Sequence, residues 1–302
     1  MTNTITPKTI SNSEVSSYLT CQRKHYYAHG LGIQPKTTSV SLSRGVIGHE
    51  MLAEYYSVLQ EDPRNTIVAR NRAYDRLDQH AIGGNADLPM LVELRQLVSF
   101  YFDFHADDTK LFDILEVEKY YKMPLNQEYQ YGMRLDLLVQ MKTGPYMGEK
   151  IIIDHKLTYA FPDASDIMLN AQLPKYIATL RQNGMDVKRG MLNTLRWRVT
   201  KANTENAIER FKRDIITPTD IEIRNIMKDQ VLVSERITHD MGMGIKAYGE
   251  TATRVLNKMI CQNCPFQSPC KTELMGEDIS LMLQTDFEKN TYGYNDDLTW
   301  KT

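Results

Sequence analysis

Asp154 and Lys156 stand two residues apart, directly after the apolar run Ile151, Ile152, Ile153. On a strand, side chains two apart share a face, so this acid and this ammonium project together while His155 points the other way. Asp136 stands within a second alternating stretch, Met133, Leu135, Leu137, Val139. If the two strands are neighbours, Asp136 and Asp154 can share one divalent cation, because hard ions such as magnesium and manganese prefer carboxylate oxygens. Lys156 then lies beside the ion, where it can orient water or stabilise charge on a phosphate. His49, early in a helical stretch, offers an imidazole that completes such a shell and shifts its preference toward manganese. Gln172 and Tyr176, at i and i+4, share a helix face and suit contact with a nucleic-acid backbone or base. Each residue alone has an ordinary reading: a turn acid, a satisfied histidine, a helix-face pair. The order His, Asp, Asp-x-Lys, Gln-x3-Tyr is what sets the group apart.

A second constellation is made of sulfur. The chain has four cysteines: Cys21, and the C-x2-C-x5-C group Cys261, Cys264, Cys270. Four is the ligand count of one tetrahedral metal centre or one cubic iron–sulphur cluster. The x5 spacing is unusual for zinc ribbons, which favour paired C-x2-C knuckles, yet spacing alone leaves zinc and iron–sulphur equally open. A disulfide pair is disfavoured in a reducing compartment. Joining positions about 240 residues apart would make the site a clasp, with a large loop-closure entropy to overcome.

The elements that must hold these groups change period along the chain. Ser11 or Ser13 can cap a short helix leading to Cys21. Helical periodicity covers residues 44–60, with Val46, Met51, Leu52, Tyr55 and Leu59 apolar, and then residues 66–80 and 90–105. Strand patterns occupy residues 111–123, 131–141 and 151–153, the last read as central in a sheet. A helix over 170–182, stopped by Asn183 and Gly184, and a strand over 188–199 follow. The stretch from there to 258 reads as helical, broken near Pro218 and at Gly242 and Gly244, and the acidic tail after Gly276 reads as loosely held. The expected divisions are a helical N-terminal lobe over 1–108, a core of sheet and helix over 109–202, a C-terminal helical and cysteine segment over 203–276, and a polar tail over 277–302.

A formal charge of −2 argues against a uniformly basic nucleic-acid binder and leaves room for a local basic groove. Arg196 and Arg198 flank Trp197 on a strand, with Lys201 following, and Arg23, Lys24, Tyr26 and Tyr27 form a second basic and aromatic set. Arginines of this kind bind phosphates and tyrosines stack on unpaired bases; packing of Trp197 and the tyrosines into the core is the equal alternative. Glu116 and Glu118 face away from Leu115 and Val117 and read as surface acids, an approach of one to the metal being the alternative. Without an apolar leader or an apolar run of spanning length, the expectation is a cytoplasmic protein with no membrane partner.

The ordered set resembles the RecB-type nuclease branch of the PD-(D/E)xK superfamily. It is carried by residues 45–49 ending in His49, the stretch Arg134, Leu135, Asp136, the group Asp154, His155, Lys156, and Gln172 with Tyr176. With the cysteines added, it is similar to the iron–sulphur members, the CRISPR-associated exonucleases of the Cas-four family and the nuclease domain of the AddB helicase–nuclease subunit. The motifs span residues 21–270. The resemblance implies a restriction-endonuclease-like α/β fold, a mixed-sheet core with a helical N-terminal lobe and an iron–sulphur segment closing both termini. It implies a 4Fe–4S cluster on Cys21, Cys261, Cys264 and Cys270, and a manganese- or magnesium-dependent DNase with preference for single-stranded ends. By position, His49, Asp136 and Asp154 would bind the metal with the His155 main-chain carbonyl, Lys156 would be catalytic, and Gln172 and Tyr176 would position DNA. A helicase, recombination or CRISPR-adaptation partner goes with such relatives, and the chain itself carries no P-loop. Leu135 stands where the superfamily name has proline, and Gln22 follows Cys21 where many relatives have proline. A silent nuclease-fold DNA-binding or adaptor protein is the alternative.

Overall fold

The structure, a computed structural model, describes residues 7–37, 40–83, 86–198 and 209–290. Lys201, the first six residues and the tail from 291 onward lie outside the described residues. In chain order the elements are β1 (Lys8–Ser11), α1 (Asn12–Thr20), α2 (Gln22–His25) running into a π-helical turn (Tyr26–Gly30), β2 (Ile33–Pro35), α3 (Val40–Glu61), α4 (Thr66–Ile82), α5 (Leu88–Phe104) and α6 (Asp108–Leu111). Then come β3 (Phe112–Val117), β4 (Tyr120–Pro124), β5 (Tyr129–Arg134), β6 (Leu137–Met141), β7 (Lys150–Thr158), α7 (Ala164–Met168), α8 (Gln172–Gln182), β8 (Val187–Arg196) and β9 (Phe211–Ile216). The chain continues through α9 (Asp220–Gly242), α10 (Ile245–Thr251), α11 (Lys258–Cys261), α12 (Gln267–Leu274), α13 (Ser280–Asp286) and β10 (Phe287–Lys289). Among the described residues no helix is long and apolar enough to cross a membrane.

The chain divides into two compact units. The larger holds Val40–Tyr121 and Arg134–Ile226; the smaller holds Met1–Ser39, Lys122–Met133 and Met227–Thr302. The expected lobe over 1–108 is therefore shared between them: Cys21 belongs to one unit and His49 to the other.

The larger unit is a five-stranded mixed sheet in the order β3-β6-β7-β8-β9, parallel only between β7 and β8. Its central strand β7 is apolar on both faces, as a strand covered from both sides must be. Ile151 and Ile153 join Ile47, Met51, Leu52 and Tyr55 of α3 and the buried stripe of α5 in one core. Asp154 and Lys156 lie on the alternate face by the period of two. Gly48 lets α3 settle on β7, since a Cβ there would stand 2.3 Å from Leu157 Cδ2. Gly190 does the same for α8 against β8, where a Cβ would meet Leu173 at 2.7 Å.

The smaller unit contains a three-stranded sheet, β1-β5-β4, and an antiparallel pair, β2 with β10. Ser11 caps α1 by accepting from the Glu14 backbone N–H at 3.1 Å. Ile10, Val15, Tyr18, Tyr129, Val233 and Ile237 form one core, and Tyr27, Phe266 and Phe287 a second.

Several sequence readings change. The pattern over 111–123 is two strands, broken where Glu118 adopts φ 49°, and that over 131–141 is two strands broken at Leu135 and Asp136. Residues 211–216, read as helical, form the edge strand β9. Val46 is 41% exposed and Ile47 takes its place in the core, because the α3 stripe runs Ile47, Met51, Tyr55, Leu59 at spacings of four.

Candidate active site

Burial of β7 brings Asp154 to the end of an apolar run, where its carboxylate is 1% exposed. A buried charge needs partners. Lys156 donates to Asp154 Oδ1 at 3.0 Å, and Gln172 Nε2 donates to the same oxygen at 3.1 Å. Gln172 Oε1 accepts from Lys156 at 3.1 Å, and Gln172 Nε2 also donates to the Tyr176 hydroxyl at 2.8 Å. Lys156 Nζ lies 2.8 Å from Asp154 Oδ2 but out of line for a hydrogen bond, so that buried oxygen keeps a lone pair without an aligned donor. Asn170 fixes this arrangement from the start of α8 by accepting from the backbone N–H groups of Gln172 and Leu173, at 3.0 and 3.1 Å.

Asp136 sits between β5 and β6. Its Oδ2 accepts from the His155 backbone N–H at 2.6 Å and lies 3.4 Å from His49 Nδ1. Glu118 joins them: its backbone N–H donates to the Asp136 carbonyl at 3.0 Å. One ligand atom each from His49, Glu118 and Asp136 lie within 4.8 Å of one another, the spacing of ligands to a single ion, and among the described residues no other such trio is present. Asp154 is outside it, turned to Lys156 and Gln172.

The electrostatics follow from burial. Burial would raise the Asp136 carboxyl, but the adjoining His49 imidazole and then its hydrogen bond hold it well below the ordinary range. Burial would lower His49, and the Asp136 carboxylate overcomes this and holds it above its usual value. Burial, followed by the Asp136 charge, pushes Glu118 up to about 7. Burial also pushes Asp154 up to about 6 against the pull of Lys156. A site that keeps carboxyls this high has room for positive charge. The donor set, one imidazole and several carboxylates with an orphaned buried oxygen, fits a hard or borderline divalent ion.

His155 points to the opposite face. Its ring is buried, 5.7 Å from the Tyr56 ring at an interplanar angle of 12°, and its Nδ1 lies 2.7 Å from Asn193 Nδ2. Arg213 pairs with Asp108 at 2.7 Å and donates to Asn193 Oδ1 at 3.2 Å, closing a buried network beneath the strand. At Asp136, the His155 group in contact is its backbone N–H.

The structure brings His49, Asp136, Asp154, Lys156, Gln172 and Tyr176 together. Glu118 is the residue that the alternation misplaced. A chain break between two strand patterns, with an acid at the break, was the available signal. Tyr176 is buried and accepts a hydrogen bond from Gln172, which it holds in place. Arg196 and Arg198 lie over the rings of Phe161 and Tyr159, at 5.6 and 4.6 Å. Tyr27 is a correction: it is fully buried, 5.3 Å from Phe266 in a stacked pair, and donates to Glu273 at 3.0 Å, so it offers no face to a base. Tyr26 packs its ring where a Cβ on Gly249 would stand, 2.7 Å away.

In the smaller unit the four cysteines, none of them in a disulfide, line one cavity of about 520 Å³, together with Arg23, Lys24, Arg254, Lys258 and Lys271 among others. Burial raises Cys264 and Cys270, in part offset at Cys270 by Arg254. No three of their sulfurs lie within 4.8 Å of one another.

The family model described as the PD-(D/E)XK nuclease superfamily matches residues 9–271. No curated protein matches the chain. Among solved structures, a protein designated SSO0001 is 14% identical, with 87% of this chain and 85% of that one covered and a TM-score of 0.39. A protein of Eubacterium rectale, provisionally assigned as an exonuclease, is 11% identical, with 84% and 87% covered and a TM-score of 0.48. At such scores neither likeness bears on fold or activity.

Proposed function

The chain belongs to the PD-(D/E)XK nuclease superfamily, and from that premise we propose that it is a divalent-metal-dependent deoxyribonuclease of the RecB type, acting as an exonuclease on single-stranded DNA ends. The observation that carries the reading is the junction of the His49, Glu118, Asp136 trio with the Asp154, Lys156, Gln172 relay. His49, Glu118 and Asp136 would hold a manganese or magnesium ion, with Asp154 at its flank. When bound, such an ion polarises a phosphate oxygen and makes an attacking water more acidic. Lys156 orients that water or meets charge developing on the phosphate, and Gln172 fixes Lys156 and Asp154 in register. The water oxygen bonds to phosphorus while one ester oxygen leaves with a proton.

The same reading assigns Cys21, Cys261, Cys264 and Cys270 to a 4Fe–4S cluster. Zinc at 2.3 Å from each thiolate would draw the sulfurs to roughly 3.8 Å apart. A 4Fe–4S cluster would be held by the four thiolates. What supports the reading is that all four cysteines line one cavity with five cationic residues, which suits an anionic group. A cytoplasmic setting in recombination, repair or CRISPR-type DNA processing, beside a helicase or adaptation partner, completes the proposal.

Digestion of 5′- and 3′-end-labelled single strands and of circular DNA, with manganese, magnesium and chelator, tests it. End-dependent, chelator-sensitive loss of label supports the proposal. Binding without digestion under every metal condition would instead identify a silent adaptor.

A further inference from the structure

The segment joining Lys156 to Gln172 carries apolar side chains that the chemistry above does not use. Tyr159 follows the end of β7, roughly 10 Å of extended chain beyond Lys156. At 50% exposure it is the most exposed aromatic residue among those described. Met168 and Leu169, just before Gln172, are 77% and 78% exposed. Apolar residues left in water on the connection between two site residues mark a contact surface more readily than a fold requirement.

The neighbours of Tyr159 define what it would contact. Its ring meets Trp197 edge-on, 5.1 Å away at 68°. Trp197 is fixed in turn: its backbone N–H donates to the Thr158 carbonyl at 2.9 Å, and Arg44 covers its ring at 4.1 Å. Arg44 is neutralised by Glu93 at 2.7 Å, so it serves Trp197 rather than a ligand. Arg198 lies over Tyr159 and Arg196 over Phe161, which places two guanidinium groups among the rings. Further along the same connection, Asp163 and Asp166 are turned to each other's backbone N–H groups in a capping box at α7. Rings on a rigid wall, interleaved with arginines, at the active end of a strand are what an unpaired nucleotide strand recognises: its bases have open π-faces and its phosphates are anionic. A duplex keeps those faces stacked on one another.

We infer that Tyr159, walled by Trp197 and flanked by Arg196 and Arg198, is a stacking platform for an unpaired base of the strand engaged at Asp154 and Lys156. This rests on the nuclease reading. The test is fluorescence anisotropy of the full chain, with chelator so that nothing is cut, on a labelled oligothymidylate and on an abasic strand of equal length. Wild-type protein binds the thymidylate more tightly. Tyr159→Ala weakens thymidylate binding roughly five- to a hundredfold, the value of one stacked base, and leaves the abasic strand unchanged. Tyr159→Phe restores it. Melting curves confirm that the half-exposed position tolerates the changes. Arg198→Gln weakens both strands alike and flattens the salt dependence by about one phosphate contact. Unchanged thymidylate binding by Tyr159→Ala, an equal loss on the abasic strand, or no wild-type preference between strands overturns the inference. Manganese-dependent digestion by the same wild-type sample separates the two levels. Digestion with no effect of Tyr159→Ala on binding removes the platform alone; neither digestion nor strand binding removes both.

Discussion

The carboxylate site and the cysteine cavity hold their chemistry by different means. Asp154, Lys156 and Asp136 stand on or beside strands whose neighbours Ile151, Ile152 and Ile153 are fully buried, so their positions are set by the sheet before any ion arrives. The cysteines sit at the start of α2, in the four-residue α11, in the loop after it and in the eight-residue α12. Helices that short have little stability of their own. Protein contacts already tie the first and last segments of that unit: β2 pairs with β10, Tyr27 stacks on Phe266, and Glu273 joins Arg23, Arg254 and Tyr27. What the contrast teaches is that the sheet preforms one site, whereas the cysteines of the other stand on short helices and a loop whose ends are held by side-chain contacts.

The largest expected effect breaks chemistry without breaking the fold. Asp154→Ala or Lys156→Ala should lower manganese-dependent digestion of single-stranded DNA by at least about a hundred- to a thousandfold, the scale of losing a preorganised charge partner. The melting transition should survive, and wild-type rates would remove the assignment. In the cysteine unit the order reverses. Cys261→Ala should cost about 3 kcal/mol or more, the scale of a link that closes a loop of this length, and abolish visible absorbance. A variant with full yield, stability and colour would refute the clasp. Smaller again is Glu273→Gln, which weakens the protein-only ties and should cost about 1–2 kcal/mol in denaturant unfolding.

Acidity sharpens the contrast further. Asp154, at about 6, and Glu118, at about 7, bind protons more tightly folded than at their ordinary values of 3.8 and 4.5. Metal-free stability should therefore fall as pH rises from about 4 through about 7, because the folded state holds the extra protons in that window, and His49, also held above its ordinary value, extends the fall to higher pH. Asp136, held low, acts oppositely, and its contribution is lost only as pH falls below the ordinary carboxylate range. Manganese should raise the melting temperature more at about pH 7.5 than at about pH 5.5. A metal effect independent of pH would contradict this. The smallest effect expected is at Glu118, the sole non-glycine with positive φ among the described residues. Left-handed strain of about 1–2 kcal/mol exceeds the 0.4–1 kcal/mol of added chain entropy. Glu118→Gly should thus stabilise the metal-free chain by under about 1 kcal/mol while weakening manganese binding.

Much of the site was legible in the sequence because period and motif spacing are local. The pair Asp154 and Lys156 needed only the alternation of a strand, and Gln172 with Tyr176 only a helical turn. The expected strands were found, with their breaks misplaced: nothing local announces that Glu118 turns back to Asp136, since a positive φ at glutamate is imposed by the pairing around it. β9 was missed for a related reason. Arg213 is the side chain its pattern would send to solvent, and it is instead buried against Asp108 and Asn193. Tyr27 resembled a nucleic-acid contact because aromatic residues near basic ones look alike in core and on surface until tertiary packing decides.

The most direct test of the central claim is calorimetric titration of manganese into the metal-free chain, comparing wild type with Asp136→Asn. Asp136 touches His49 and the backbone N–H of His155, the residue between Asp154 and Lys156. Wild type should bind manganese, and Asp136→Asn should bind it at least about tenfold more weakly for the loss of that one charge, a difference of about 1.4 kcal/mol. Equal binding by both proteins would mean that these residues do not converge on a shared ion.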